Sequence, residues 1–218
     1  MRKLDLENKV LSAVSIAGAN VTNVEILAQI KLDADNLINK MTKDKFVKVP
    51  FVGDFSSGKS SLLNAYTGSD LLPTNILPET AVAYELYYSE NEKLELYSGG
   101  TLKETKYSLS QIKEFNVTPG DVIYVYINNE KIRSLNSRGI VLVDMPGIDS
   151  GIEAHNNAIL NYIREGSVFM MFTDTEQATL RTSTISFIRE IQQYGLSVNV
   201  FLSKADKKPE TEVQEIRA

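Results

Sequence analysis

Residues 46–61 read Phe46-Val47-Lys48-Val49-Pro50-Phe51-Val52-Gly53-Asp54-Phe55-Ser56-Ser57-Gly58-Lys59-Ser60-Ser61. A short β-rich run ends at Gly53, although Pro50 is awkward in a central strand. A Gly/Ser loop follows, and Ser60-Ser61-Leu62-Leu63-Asn64-Ala65-Tyr66 reads as a helix. Residues 53–60 fit G-x-x-x-x-G-K-[ST] in the strand–loop–helix setting that this pattern requires. Two glycines let the main chain fold around a polyphosphate with no Cβ in the way. The amides of Gly53, Asp54, Phe55, Ser56, Ser57 and Gly58, with the helix N-terminus at Ser60 and Ser61, then offer a positive concavity. Lys59 can reach the β- and γ-phosphates. The Ser60 hydroxyl can ligate Mg²⁺, a hard cation that prefers oxygen.

Downstream, Ile140-Val141-Leu142-Val143 is short and wholly apolar, as expected of a strand buried on both faces. It runs into Asp144-Met145-Pro146-Gly147. An Asp at such a strand end can hold Mg²⁺ directly or through water. The Gly147 N–H can approach a γ-phosphate. Val168–Phe172 and Val198–Leu202 read as further strands buried on both faces, with helical stretches near 153–165 and 180–194 between. Buried strands alternating with helices predict an α/β fold, a mostly parallel sheet flanked by helices. Ala81–Tyr88, Lys93–Tyr97 and Val122–Ile127 add β-rich runs, Gly99-Gly100 a turn, and Ser110–Phe115 a short helix. After the last buried strand comes Ser203-Lys204-Ala205-Asp206. In GTP-binding folds an [NT]-K-x-D element reads guanine. The Asp accepts from N1–H and N2–H₂, a pair adenine cannot offer, and the Lys stem packs along the base. Ser203 departs from Asn or Thr but keeps a hydroxyl that can hydrogen-bond.

Residues 1–44 read as a separate helical segment. Leu4, Leu6, Val10, Leu11 and Val14 have helix-like spacing, stopped by Gly18-Ala19-Asn20. Thr22-Asn23-Val24-Glu25 has the shape of a capping box, and Val24, Leu27, Ala28, Leu32, Leu37, Ile38 and Met41 form a rough apolar stripe behind it. That stripe reads as bundle packing, because no Lys/Arg-rich polar face opposes it. Residues 45–218 then form the second domain. The 218 residues carry a net charge of −5, which argues against a general nucleic-acid binder. With no Cys and one His, thiolate metal sites, disulfides and a Ser-His-Asp triad are excluded or poor fits. No apolar run approaches a membrane span and the N-terminus has no signal-peptide core, so a cytoplasmic protein is expected.

Together these motifs resemble the dynamin superfamily of large GTPases, particularly bacterial dynamin-like proteins. The carriers are GDFSSGKSS (53–61), LPTNILPET (72–80), DMPG (144–147) and SKAD (203–206). The long stretch between Thr80 and Asp144 is similar to the enlarged dynamin-type G domain. The resemblance implies a P-loop NTPase fold that binds GTP or GDP with Mg²⁺ and hydrolyses GTP. It makes Thr80 the switch I threonine, a Mg²⁺ ligand beside Ser60 and Asp144 whose backbone orients the attacking water. It makes Gly147 the switch II glycine on the γ-phosphate. Ile148 stands where small GTPases have a catalytic Gln. Dynamins lack that Gln too and use a phosphate-loop Ser, here Ser56, with a monovalent cation (Na⁺ or K⁺). Lys59, Ser56, Thr80 and Gly147 are then the catalytic set. A G-domain homodimer and membrane remodelling are implied for the intact parent, with membrane contact made by regions absent from this chain. The chain ends soon after Asp206, so the G domain reads as incomplete at its C-terminus.

Two other classes stay open: a phosphate-loop ATPase, and a non-catalytic nucleotide-gated interaction module. His155 reads as an exposed loop or helix-start residue, Arg181 and Arg189 as a solvated helix face, and Tyr84, Tyr87, Tyr88 and Tyr97 as sheet packing.

Overall fold

The computed structural model describes residues 3–43, 46–74, 82–148, 162, 168–175, 182–196 and 198–217. It divides into two compact units, Met1–Lys45 and Phe46–Ala218. The first holds α1 (Lys3–Asn20) and α2 (Val24–Lys43). Helix α1 ends at Asn20, the last residue of the expected Gly18-Ala19-Asn20 stop. The cap of α2 differs from the expected box. The carboxamide oxygen of Asn23, not the Thr22 hydroxyl, accepts from the amides of Glu25 (2.9 Å) and Ile26 (3.2 Å).

The second unit is built on β1 (Val47–Gly53), whose residues point alternately to two covered faces. Val49 and Phe51 join one buried cluster with Leu63, Leu86, Ile123 and Ile132. Val52 joins another with Val141, Val143, Phe169, Met171, Phe187 and Ile191. Burying one such side chain contributes roughly 1.5–3 kcal/mol, so two covered faces explain the continuous apolar runs. Helix α3 (Lys59–Thr67) follows the loop and covers the first face. Then come β2 (Ala83–Tyr88), β3 (Lys93–Ser98), β4 (Thr101–Lys106), a 3₁₀ turn at Leu109–Lys113, and β5 (Val122–Ile127). Helix α4 (Glu130–Ser137) leads to β6 (Ile140–Asp144). Strand β7 (Phe169–Asp174), helix α5 (Thr182–Gln193), strand β8 (Val198–Ser203) and helix α6 (Glu210–Arg217) complete the described elements.

The strands form one sheet in the order β4-β3-β5-β2-β6-β1-β7-β8. It is mixed. β6, β1, β7 and β8 run parallel, while β2 joins β6 antiparallel and β5 follows β2 in parallel. β3 runs antiparallel to both β5 and β4. The Lys/Glu-rich β4, α4 and α6 had no counterpart in the sequence reading. Strand β8 corrects another expectation. It is an edge strand, and Val200 (50%) and Phe201 (41%) are exposed rather than buried on both faces.

Pro50 is tolerated in the sheet interior for a local reason. Val47 donates to Gly139 on the β6 side, so alternation turns the Pro50 nitrogen toward β7. The β1–β7 register begins only at Phe51, which puts the missing donor at the end of that ladder. The helix expected near 153–165 lies outside the described residues except for Tyr162, which is helical and buried.

Candidate functional site

The register pairs Phe51↔Asp144, Gly53↔Phe172 and Asp174↔Ser203 bring the carboxyl ends of β6, β1, β7 and β8 side by side. Ligands of open α/β sheets bind at such ends. The loop from Gly53 to Gly58 curls there around the ammonium of Lys59. Nζ donates to the carbonyls of Gly53 (3.0 Å) and Asp54 (2.8 Å) and to the Ser57 hydroxyl (3.3 Å). Burial lowers the Lys59 pKa, opposed by the carboxylates of Asp144 and Asp54.

The glycines are there for space and for φ. A Cβ on Gly53, at φ +150°, would sit 2.2 Å from the Phe172 carbonyl oxygen. Gly58, at φ +89°, starts α3 in the left-handed region. Ser56 is also left-handed, at φ +61°, and exposed, which costs about 1–2 kcal/mol for a residue with a Cβ. Phe55 is half-exposed on the same loop. A Cβ on Gly147 would lie 3.0 Å from the Phe55 nitrogen, so the main chain after β6 packs directly on the phosphate loop. The Ile148 amide donates to the Gly53 carbonyl at 3.2 Å and fixes that approach.

The residues suited to a divalent cation meet at the base of the loop. The Ser60 hydroxyl donates to Asp144 Oδ2 at 2.6 Å. Asp144 Oδ1 is buried with no hydrogen-bond partner among the described residues. An orphaned buried carboxylate oxygen calls for an unseen cation or water, and two hard oxygen donors fit Mg²⁺. Burial pushes the Asp144 carboxyl up to about 6, against the opposing pull of the Ser60 hydrogen bond and the Lys59 charge. Thr80, the third expected ligand, lies outside the described residues.

Ser203, Lys204 and Asp206 stand beside the same loop. A Cβ on Gly58 would be 3.9 Å from Ser203 Cβ. Asp206 lies exposed in a 3₁₀ turn, Ala205–Lys207, that follows a left-handed Lys204 at φ +56°. The Ser203 hydroxyl donates to the Thr173 carbonyl at 3.2 Å. Apart from Thr80, the expected site residues therefore converge at one end of the sheet.

The sequence reading missed several supporting side chains. Thr184 on α5 reaches Asp54 at 3.4 Å. The Asn64 carboxamide makes two 2.8 Å hydrogen bonds with the main chain of Leu72, anchoring the chain that leads toward Thr80. Thr173-Asp174-Thr175, at the end of β7, holds the Ser203–Lys204 turn. A polar run directly after an apolar strand, the pattern that marked Asp144, also marks this segment.

The sequence profile of the Dynamin family matches residues 49–205, a span that includes the 53–61 loop, Asp144, Gly147, Ser203 and Lys204 and stops one residue before Asp206. The chain belongs to the dynamin family. Dynamin-like protein A of Bacillus subtilis is 24% identical over 81% of this chain and 15% of its own length. The bacterial dynamin-like protein of Nostoc punctiforme is 26% identical over 77% of this chain and 27% of its own. A solved structure of an oligomerised bacterial dynamin pair, described as acting in long-range sensing and tethering of membranes, superposes with a TM-score of 0.61. It covers 100% of this chain and 42% of that one at 18% identity, a likeness of fold. The chain thus spans well under half of these relatives' length. The dynamin-type fold expected from the sequence is present.

Proposed function

We propose that this chain binds GTP with Mg²⁺ and carries the GTP-hydrolysing site of a dynamin-like protein. One observation carries the proposal: the 53–60 loop closes around the Lys59 ammonium at the strand ends that also bear Asp144 and the Ser203–Asp206 turn. Loop amides and the α3 N-terminus bind the phosphates, and Lys59 exchanges its carbonyl acceptors for β- and γ-phosphate oxygens. Ser60 and Asp144, with Thr80, hold Mg²⁺, which supplies charge neutralisation on the phosphates. The Gly147 amide binds the γ-phosphate, and its contact with Phe55 keeps it in reach. The Thr80 main chain orients the attacking water. Ile148 has no side chain able to do so. Ser56 is held in a strained conformation at the loop's exposed tip, where it can bind a monovalent cation that offsets charge between the phosphates. Asp206 reads the guanine edge.

By family likeness, hydrolysis rises when two G domains meet across the nucleotide, and it serves membrane remodelling from a cytoplasmic, peripheral position. No described helix is long and apolar enough to cross a membrane; by the same family likeness, membrane contact is assigned to other parts of the parent.

Calorimetric titration of this chain and of a longer one with GTP and ATP, in Mg²⁺ buffer containing K⁺, tests the reading. GTP should bind more tightly than ATP, and turnover should rise with protein concentration. Equal or tighter ATP binding would replace guanine reading with an ATPase reading. Absence of turnover in the longer protein would leave a non-catalytic, nucleotide-gated module.

A further inference from the structure

The end of β7 makes four contacts with the turn proposed to read the base. The Thr175 amide donates to the Ser203 carbonyl at 3.1 Å. The Thr175 hydroxyl donates to the Lys204 carbonyl at 2.9 Å, and the Ser203 hydroxyl to the Thr173 carbonyl at 3.2 Å. The Lys204 ammonium forms an ion pair with Asp174 Oδ2 at 3.0 Å. Asp174 is 7% exposed, and the Lys204 side chain keeps a quarter of its surface. Lys204 itself adopts a left-handed backbone, at φ +56°, which a β-carbon disfavours. Such a conformation persists only where neighbours over-determine it, and the Thr173–Thr175 segment supplies that constraint.

From this arrangement we infer that Asp174 is a positioning residue for base recognition: by pinning the Lys204 ammonium, it fixes the turn carrying Asp206 in a guanine-ready pose. This rests on the proposed GTP reading of the site. A free lysine stem loses considerable rotamer freedom when it packs on a ligand, and a side chain already held by an ion pair has lost much of it beforehand. With Asp174 buried, the pair is screened much less than one between two exposed side chains. The Asp174 carboxylate directs its ion pair to Lys204, at the base end of the site. It lies on β7 beside Ser203, whereas Lys59, Ser60 and Asp144 lie on the α3 and β6 side. Its influence should therefore fall on the base and leave the triphosphate alone.

The test measures dissociation constants of Mg²⁺-GTP and Mg²⁺-ATP for the chain and for Asp174→Asn, Asp174→Ala, Lys204→Met and the Asp174→Ala/Lys204→Met pair. Asp174→Ala should weaken GTP roughly tenfold, in line with the loss of one charged hydrogen bond, and leave ATP within about twofold. Asp174→Asn keeps the shape and one acceptor and should fall between, which also covers the case in which the alanine variant does not fold. In the Lys204→Met background, removing Asp174 should change GTP affinity no further. Equal losses for GTP and ATP, or an undiminished effect of Asp174→Ala without Lys204, would reduce Asp174 to a structural role and overturn the inference. An undiminished GTP-over-ATP preference in Asp174→Ala overturns the inference alone. A parent chain with no GTP preference removes the underlying reading as well.

Discussion

The two ends of the candidate site are built from different materials. At the phosphate end, Asp54, Ser57, Lys59 and Asp144 are all buried, and main-chain amides and carbonyls do most of the holding. At the base end, Asp206 is exposed, Lys204 is half-buried, and the supporting strand β8 is the sheet's edge. The first end needs particular glycines and one cation. The second depends on a few side chains whose placement comes from a neighbouring strand. Affinity for a triphosphate should therefore be robust and base-blind, and selectivity should be graded and separable.

The sharpest break in that contrast is Lys59→Ala. It removes the charge at the centre of the loop and leaves the carbonyls of Gly53 and Asp54 without their donor. Charge-assisted hydrogen bonds contribute about 1.5–3 kcal/mol each, so GTP and ATP should both weaken by roughly 100-fold or more. Calorimetry with both nucleotides checks this. Surviving GTP affinity would mean that residues 53–60 do not hold the phosphates. By contrast, Asp206→Asn should cost GTP roughly tenfold to 100-fold, because the amide presents a donor to base donors, while ATP is spared. A parallel loss of ATP binding would show that the turn serves the fold more than the base.

The same division explains what the sequence could say. The phosphate loop, Asp144 and the turn at 203–206 were legible because each is a local pattern: a glycine spacing, or a polar residue at the end of an apolar run. Val141–Val143 and Phe169–Phe172 were legible as strands for the same reason. Strand direction was not. Buried runs joined by helices marked β6, β1, β7 and β8 as parallel, but nothing in the runs Ala81–Tyr88 and Val122–Ile127 marked the reversal of β2 and β5 relative to β6. Position in the sheet was also hidden. Val198–Leu202 looks as apolar as β6, yet β8 is an edge. The supporting contacts, Asp174 with Lys204 and Asn64 with Leu72, depend on the strand order and on a loop returning to its own helix. Neither is written in a window of neighbouring residues.

A third test uses pH and bears on the phosphate end alone. Burial raises Asp144 to about 6, so the folded chain holds this proton more tightly than the unfolded one. Stability from this group is therefore complete below the ordinary carboxylate range, near pH 4, and is lost as pH rises through about 6. A divalent cation competes for the same oxygens. Mg²⁺ affinity should accordingly fall as pH drops below about 6, approaching tenfold per unit. Isothermal titration of Mg²⁺ into the GTP-loaded chain between pH 7.5 and 5 should show roughly a tenfold loss. Asp144→Asn should bind weakly with no such dependence. A flat profile in the parent would place the cation elsewhere.

The smallest expected effect sharpens the contrast from the base end. Ser203 stands where an Asn or Thr was expected, and its hydroxyl is already committed to the Thr173 carbonyl. Its Cβ lies 3.9 Å from where a Gly58 Cβ would be, so a longer side chain reaches the main chain of the phosphate loop. Ser203→Asn supplies an amide that can keep the bond to Thr173 and add one to the loop, tying the two ends together. One net hydrogen bond contributes about 0.5–1.5 kcal/mol, and some of that is lost in ordering the amide. GTP affinity should therefore rise by about threefold. ATP should gain as well, since the new tie braces the loop and does not touch the base. A gain confined to GTP would instead mean that residue 203 acts on the base directly. A loss with both nucleotides would mean that the serine already fits its space.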